Sequence, residues 1–296
     1  MEIKQLQTFW VLAQELSFTK TALKLNYAQS SVSAQIQGLE AEFGTLLFER
    51  IGKRITLTQS GVRLKRYAGE ILRLVDETLI AVPDVCEPSG AITIGAVESL
   101  CTYRLSPILG QYRSLYPKVE LIFRTGICSD LRKEVSNGSL DTALTLEPIV
   151  SLDTLVCEPL LREPMLVVTQ PNHPLVHYKQ VRPMDLEGET ILVTEPGCSY
   201  RVMFERILAE AGIKNPMKIE FASLEAIKQC AMAGLGIAVL PEVAVVKEIE
   251  HQQLIPLHWD GPEFKIVTQM WWHKDKWISP ALSAFLEMTK QFIVKP

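Results

Sequence analysis

The stretch from Ser17 to Gly61 constrains this chain most, because it contains two short amphipathic helices separated by only a tight turn. Apolar residues recur at helical spacing on both sides of Asn26 and Tyr27, which are predicted to make the turn. Ser17 is expected to cap the first helix, and Gly44 is expected to end the second in a left-handed conformation. Such a helix pair is typical of proteins that insert the second helix into a DNA groove.

The exposed face of the second helix carries small hydroxyl and amide side chains, which can bond to base edges. A polar solvated face is the alternative, but the position directly after a helix and a tight turn favours DNA reading. A basic hairpin follows, which is predicted to contact phosphates or the minor groove, unless it is a charged loop kept for solubility. The predicted DNA contacts are Thr19, Gln29, Ser30, Ser31, Ser33, Gln37, Arg50, Lys53 and Arg54.

A long helix is predicted after Thr58, its expected N-cap, and Pro83 is expected to end it. Its apolar residues follow a spacing close to a heptad repeat, and about 24 residues would span roughly 36 Å. The helix has no obvious partner within the N-terminal part of the chain, so we predict that it pairs with a second copy. The predicted dimerisation contacts are Leu64, Ala68, Ile71, Leu72, Val75 and Leu79.

From Ala91 onward strands alternate with helices, which predicts parallel α/β sheets. A glycine loop at 234–236 is expected to lead into a further strand. Strands are predicted at 91–97, 119–124, 141–146, 165–169, 190–193, 217–221 and 264–272. Helices are predicted at 102–115, from 129, at 200–211, 223–233 and 280–292.

The charge of the chain is unevenly distributed. Residues 1–66 contain nine Lys/Arg and five Asp/Glu, which gives a net charge of +4. Since the whole chain has a net charge of −4, the remainder has a net charge of −8. A basic N-terminal part (the head, residues 1–66) and an acidic remainder (the body) are expected if only the head binds nucleic acid. Ordinary variation in surface charge could give the same difference. The chain lacks a secretory signal and any apolar run of about 18 residues, so we expect a cytoplasmic protein without membrane contact.

The pattern of residues identifies the chain as similar to the LysR-type transcriptional regulators, over essentially its whole length. Weaker matches in the second part are 172–175, 195–198, 223–227 and 234–241. The strongest matches are Ser17, Phe18, Thr19, Ala22, Leu25, Gln29, Ser30, Ser33, Gln35, Ile36, Leu39, Glu40, Gly44, Leu47, Phe48, Arg50, Thr58 and Gly61.

The resemblance implies an N-terminal, all-α winged helix-turn-helix, a long linker helix and a C-terminal α/β effector domain of two lobes, like a type 2 periplasmic binding protein. The implied domains are 1–58 for DNA binding, 59–89 for the linker helix and hinge, and 90–296 for effector binding. Lobe I would cover about 90–161 and 270–296, and lobe II about 162–269.

The resemblance also implies the partners of the chain: double-stranded promoter DNA, a small-molecule effector, RNA polymerase, and further copies of itself in a homodimer or homotetramer. It implies no cofactor. Many members have Arg or Lys where this chain has Ala34, so one common DNA contact is absent here.

A ligand cleft is expected beyond the carboxyl ends of the strands. Helix starts there favour anions, so we expect a small organic anion or an amino acid derivative, unless the hydroxyls are merely helix caps. Arg201 could reach a carboxylate or pair with Glu205 four residues later. The predicted effector contacts are Ser99, Cys101, Thr102, Cys128, Ser129, Glu147, Cys198, Ser199, Tyr200, Arg201 and Ser223.

Three of these residues, Cys101, Cys128 and Cys198, raise an alternative in which thiols sense oxidants or a soft metal. Cys198 lies near where a peroxide-sensing branch of the family keeps a reactive thiol, but no second cysteine follows within about ten residues. We favour small, partly apolar lining residues instead. No metal site is predicted, and the absence of a nucleophile elbow, P-loop or dinucleotide fingerprint argues against an enzyme.

Overall fold

The computed structural model describes residues 1–51, 54–81, 87–213 and 216–294, and divides the chain into two compact units, Met1–Cys86 and Glu87–Pro296. No helix within the described ranges combines the length and the apolar character needed to cross a membrane. For ten residues within these ranges the structure describes the backbone but not the side chain: Arg50, Ile51, Arg54, Arg73, Asp76, Glu77, Leu79, Ile80, Ala81 and Val294.

The elements follow the predicted order of a helical head and an α/β body. The first unit contains α1 (Ile3–Glu15), α2 (Phe18–Leu25), α3 (Gln29–Phe43), β1 (Phe48–Ile51), β2 (Arg54–Leu57) and α4 (Gln59–Ala81). The strands of the second unit are β3 (Gly90–Ala96), β4 (Val119–Thr125), β5 (Thr142–Glu147), β6 (Leu155–Arg162), β7 (Met165–Thr169), β8 (Thr190–Val193), β9 (Met217–Glu220), β10 (Ile237–Pro241), β11 (Ile255–Pro256) and β12 (Val267–His273). Its helices are α5 (Glu98–Leu100), α6 (Ser106–Leu115), α7 (Cys128–Ser136), α8 (Ser199–Glu210), α9 (Leu224–Met232), α10 (Glu242–Glu250) and α11 (Pro280–Val294).

Local hydrogen bonds set the ends of α2 and α3, as the sequence predicted. The Ser17 hydroxyl accepts a hydrogen bond from the Lys20 N–H at the start of α2. Asn26 then turns the chain with a left-handed φ of 56°, and the Tyr27 N–H donates to the Ala22 carbonyl at 2.9 Å. Gly44 ends α3 with a φ of 62°. The two helices are therefore joined by a short turn that backbone hydrogen bonds hold in place.

Two partly buried hydrogen bonds, in addition to its apolar face, fix the orientation of α3. The Thr8 hydroxyl of α1 donates to the Gln35 carbonyl oxygen at 2.7 Å. Glu40, near the other end of α3, accepts the Leu47 N–H at 2.8 Å and so ties the helix to the hairpin of β1 and β2. Because an unmade hydrogen bond is costly away from water, these contacts favour one position of α3 in the unit.

The first half of α4 packs against α1, which corrects the prediction that this helix has no partner within the N-terminal part of the chain. Ala68 is completely buried in the shared core. The Lys65 ammonium donates to the Ala13 carbonyl at 3.2 Å, and Gly69 lies against the Trp10 ring. A heptad-like stripe of apolar residues can pack against a helix of the same chain or of a second subunit. In this structure the stripe on the first half of α4 packs against α1.

This packing also changes the predicted dimerisation contacts. Leu64, Ile71 and Leu72 join Ala68 against the core of the first unit, so Ala68 at least has no surface left for a second chain. Val75 is half-buried, and the side chain of Leu79 lies outside the described residues. The exposed apolar residues of α4 are instead Val62, Tyr67 and Leu74.

The second unit contains two five-stranded sheets, ordered β4-β3-β5-β12-β6 and β11-β7-β10-β8-β9. In the first, β3 runs parallel to β4 and β5, whereas β12 returns from the far end of the sequence and pairs antiparallel with β5 and β6. In the second, β8 lies parallel between β9 and β10. Each sheet carries helices, so the unit consists of two α/β lobes, as predicted.

Strand β6 and helix α10 were not predicted. Pro159 lowers the strand propensity of β6, but this strand is at the edge of its sheet, where a missing N–H is tolerated. The pairing of β6 with β12 shifts register between Thr268 and Gln269, which is the irregularity that accommodates the proline. Strand β12 begins at Val267, three residues after the predicted start at Phe264.

The helix that follows β3 begins earlier than predicted. It starts at Glu98 rather than Thr102, passes through a π-helical turn at Cys101–Leu105 and continues as α6. Arg104 in that turn donates to both oxygens of Glu163, at 2.7 Å each, and the Thr268 hydroxyl donates to the same carboxylate at 2.8 Å. Glu163 is 1% exposed, so its full set of partners fixes the chain where it passes between the sheets.

We expect Gly61→Ala to destabilise the first unit, although alanine normally stabilises a helix by about 0.5–1 kcal/mol relative to glycine. A Cβ at Gly61 would lie 2.1 Å from the Leu47 carbonyl oxygen, so the cost should be on the order of 1–3 kcal/mol. Differential scanning calorimetry should show a lowered unfolding temperature.

Gly110→Ala is the matched control, because a Cβ there meets nothing within 4 Å on helix α6. It should leave the unfolding temperature unchanged or raise it. A Gly61→Ala protein as stable as Gly110→Ala would contradict the close packing of the α4 start.

Candidate functional site

The outer face of α3 presents most of the predicted DNA contacts to solvent. Ser33 is half-buried, and the Thr19 hydroxyl of α2 donates to the Gln29 side-chain oxygen at 3.5 Å. Ala34 is exposed on the same helix, so its methyl group lies where a longer side chain could have reached outward. The fully exposed members of the predicted set are Thr19, Gln29, Ser30, Ser31 and Gln37.

The hairpin of β1 and β2 forms the wing. Its strands pair antiparallel, with Arg50 opposite Ile55 and Ile51 opposite Arg54. The side chains of Arg50 and Arg54, and the whole of Lys53, lie outside the described residues, so these predicted contacts are located by the backbone alone.

A cleft of about 430 Å³ lies between the two lobes of the second unit. Strands β3 and β8 both end at it, as the crevice rule for open α/β sheets predicted. Its polar lining residues are Glu98, Ser99, Cys128, Thr194, Glu195, Cys198, Ser199 and Tyr200. Its other lining residues are Val97, Gly126, Ile127, Leu146, Ala222 and Leu224.

Helix starts from both lobes face the cleft. The N–H groups of Cys128 and Ser129 at the start of α7, and of Ser199 at the start of α8, have no acceptor among the described residues. Ser99 is 4% exposed, lines the same space and makes no side-chain hydrogen bond within the described part of the chain. Unused N–H groups at helix starts attract anions, so this side of the cleft suits a carboxylate.

The structure gathers about half of the predicted effector residues at this cleft. A second cavity of about 630 Å³ adjoins it and contacts Cys128, Ser129, Glu147 and Ser199. The predicted effector residues that line neither cavity are Cys101, Thr102, Arg201 and Ser223. Those that line the first cleft are Ser99, Cys128, Cys198, Ser199 and Tyr200.

Two charged residues of the predicted set are occupied by other partners. Arg201 lies 3.1 Å from Glu205 and 2.9 Å from Glu220, and it also donates to the Thr194 carbonyl. The alternative pairing with Glu205 is therefore the one observed, and Arg201 does not line the cleft. Glu147 is buried and forms an ion pair with Arg132.

The list of predicted effector contacts omits two carboxylates that line the cleft, Glu98 and Glu195, although both lie in loops that the crevice rule selects. Each lies two residues beyond the end of its strand, Glu98 after β3 and Glu195 after β8. Their positions directly after predicted strands were the available signal. Burial raises the pKa of Glu98, and the nearby Glu195 carboxylate raises it further.

The surroundings of Cys128 and Cys198 in the cleft, and of Cys101 near it, disfavour the thiolate form. Burial raises the pKa of the Cys101 and Cys198 thiols above their usual range. Burial raises the pKa of Cys128 to about 11, and its thiol donates to the Leu146 carbonyl at 3.7 Å. Cys157, outside the cleft, also has a pKa raised to about 11 by burial. Since the thiolate is the reactive form, these surroundings disfavour the redox alternative.

We expect Cys128 to react with iodoacetamide about a hundredfold more slowly than glutathione at pH 7, since its thiolate fraction is lowered by about that factor. The rate should rise about tenfold per pH unit up to pH 9, because the thiolate fraction grows with pH until the pKa is reached. Residue-resolved mass spectrometry measures this. A rate that is fast and flat above pH 7 would contradict the raised pKa.

Comparison with known proteins agrees with this architecture. Residues 3–62 match the model of the bacterial regulatory helix-turn-helix protein, lysR family, and residues 87–293 match the LysR substrate binding domain. An uncharacterised HTH-type transcriptional regulator of Bacillus subtilis, YwqM, is 46% identical over 98% of this chain and 99% of that protein. The B. subtilis HTH-type transcriptional regulator GltR is 39% identical over 100% and 98%, respectively.

A solved structure shows the same fold. A cysteine-to-aspartate variant of full-length OxyR from Pseudomonas aeruginosa superposes with a TM-score of 0.75 at 22% identity, over 99% of this chain and 94% of that one. The family models together span both units, and the relatives are regulators rather than enzymes. The chain therefore belongs to the LysR family of DNA-binding transcriptional regulators, with an N-terminal helix-turn-helix domain and a C-terminal effector-binding domain.

Proposed function

We propose that this regulator binds promoter DNA through α3 and the wing, and that a small organic anion or amino acid derivative in the interlobe cleft controls that binding. The observation that carries the proposal is the meeting of α7 and α8 helix starts with the buried Ser99 hydroxyl in one cleft. Residues from both lobes line this cleft, as in many small-molecule sites that form between two structural units.

On the DNA side, α3 enters the major groove and the wing contacts the backbone or minor groove. Gln29 and Gln37 supply amides that can pair with adenine, and the serines accept or donate to several bases. The absence of a basic side chain at Ala34 leaves less phosphate attraction to each head. The proposed contacts are Thr19, Gln29, Ser30, Ser31, Ser33, Gln37, Arg50, Lys53 and Arg54.

A single head with few basic contacts should bind weakly, so we propose that the chain acts as a homodimer or homotetramer on a roughly palindromic site. The exposed Tyr67 and Leu74 of α4, together with Val75, offer an apolar surface for a second copy of this helix. RNA polymerase is the further partner through which promoter occupancy would change transcription.

On the effector side, a carboxylate would accept the N–H groups of Cys128, Ser129 and Ser199 and the hydroxyls of Ser99 and Ser199. These donors come from both lobes, and charge-assisted hydrogen bonds of this kind are stronger than neutral ones. The apolar walls, including Val97 and Leu224, would cover the remainder of a small ligand.

The DNA proposal predicts that Gln29→Ala and Ser30→Ala weaken binding to the DNA upstream of the chain's own gene. Loss of a base contact costs about 1–3 kcal/mol, so Kd should rise about 5- to 150-fold per variant. The salt dependence of Kd should be unchanged, because no phosphate-binding cation is removed. Fluorescence anisotropy with labelled duplexes measures both quantities.

Gln14→Ala is the control, because this exposed amide lies on α1, outside the proposed face. It should bind as the parent does. Equal affinity of the Gln29→Ala, Ser30→Ala and Gln14→Ala proteins would contradict the assignment of α3 as the reading helix.

The effector proposal predicts that the Ser99→Ala, Ser199→Ala double variant loses at least tenfold in carboxylate affinity, since hydrogen bonds to charged groups contribute about 1.5–3 kcal/mol. Isothermal titration with a panel of small carboxylates and amino acids measures this. Ser114→Ala, at an exposed position on α6, should leave affinity unchanged. An unaltered affinity in the double variant would remove the Ser99 and Ser199 hydroxyls from the site.

A further inference from the structure

Two carboxylates enter the cleft from opposite lobes without a positive partner. Glu98 follows β3 in the first lobe, and Glu195 follows β8 in the second. Neither forms an ion pair within the described ranges, and the Glu98 Oε2 atom is buried there without a hydrogen-bond partner. A buried carboxylate oxygen ordinarily has a hydrogen-bond partner, so the Glu98 Oε2 atom is suited to accept from a positive group.

The charged groups near Glu98 do not include a cation that is free to pair with its carboxylate in the described part of the chain. Burial and the nearby Glu195 carboxylate both raise the pKa of Glu98, so its surroundings do little to stabilise the ionised form. Lys228 lies close enough to attract Glu98, but its ammonium is 2.6 Å from Glu248 and 2.9 Å from Glu225. No Lys or Arg appears among the described lining residues of the cleft.

A third acceptor lies beside the two carboxylates. Thr194 is 5% exposed and lines the cleft. Its hydroxyl lies beside the Cys198 thiol and the Tyr200 hydroxyl, to which it can donate while its oxygen still accepts. An ammonium group has three donors and no acceptor. Glu98, Glu195 and Thr194 together offer it three oxygen acceptors and two negative charges.

We propose that the ligand of this cleft is zwitterionic: an α-amino acid, or a derivative that keeps its free ammonium group. Glu98, Glu195 and Thr194 bind the ammonium, while Ser99 and the starts of α7 and α8 bind the carboxylate. This inference rests on the proposed function, which places a carboxylate at those helix starts, and it adds a second charged subsite of opposite sign.

The same lining indicates the kind of side chain that the ligand carries. Val97, Ile127, Leu146 and Leu224 give the cleft apolar walls, and a second ligand carboxylate would find no cation among the described lining residues. The cleft therefore suits amino acids with uncharged side chains better than dicarboxylic ones.

Isothermal titration of the full chain with matched ligands tests the inference. The probes are L-amino acids with uncharged side chains, each beside its deaminated acid and its decarboxylated amine; for leucine these are isocaproate and isoamylamine. We expect at least one amino acid to bind tenfold or more tightly than either of its one-charge analogues, because only the amino acid occupies both subsites.

Removal of the carboxylates should then erase the preference. In Glu98→Gln and Glu195→Gln, affinity for the amino acid should fall at least tenfold, whereas affinity for the deaminated acid should stay the same or rise as repulsion is removed. Glu250→Gln, at an exposed position on α10, is the control and should keep the parental preference. The unliganded Glu98→Gln protein should melt no lower than the parent, since it loses a destabilising buried charge.

The outcomes separate this inference from the proposed function. If the deaminated acid binds as tightly as the amino acid, the ammonium subsite is wrong and the carboxylate site stands. If the amine alone binds as tightly as the amino acid, the zwitterion is also wrong. If no member of the panel binds, both are overturned. A preference that survives in Glu98→Gln and Glu195→Gln would overturn the assignment of these residues.

Discussion

The packing of α4 against α1 is the contact on which the DNA-reading unit depends. Ala68 is buried between the two helices, Lys65 bonds to the Ala13 carbonyl, and Gly69 allows the Trp10 ring to lie against the helix. Thr8 of α1 in turn holds Gln35 of α3. The linker helix and the reading helix therefore share one core, and a change in the position of α4 would carry α3 with it as a rigid body.

In the second unit, the proposed ligand would contact both lobes of the cleft. Ser99 and Glu98 come from the first lobe, and Ser199 and Glu195 from the second, so neither lobe alone supplies a complete set of partners. A ligand that is held by both stabilises the lobe arrangement in which the two sets face each other. The two carboxylates strengthen this dependence, because a positive ligand group between them would relieve their repulsion.

Features of the fold that depend on local bonding could be predicted from the sequence, and those that depend on distant partners could not. Ser17 and Gly44 act through neighbouring backbone groups, so their roles were visible in the residues themselves. Strand β6 exists despite Pro159 because β12 arrives from more than one hundred residues away. The apolar face of α4 fits a second copy and α1 equally well, and only the folded unit shows which of them covers Ala68. Glu98 and Glu195 each follow a strand, so the crevice rule places both near the cleft, but only the folded unit shows that no Lys or Arg is among the described residues that line it.

The central claim is that occupancy of the cleft and DNA binding are coupled, and the most direct test is a linkage measurement on the full chain. DNA affinity should be measured with and without the tightest-binding amino acid, and amino acid affinity with and without the DNA. The account predicts that each ligand changes the affinity for the other by the same factor, about 5- to 150-fold, since coupling free energies are typically 1–3 kcal/mol and reciprocal. If the protein binds both ligands tightly but neither changes the affinity for the other, the proposed coupling is contradicted.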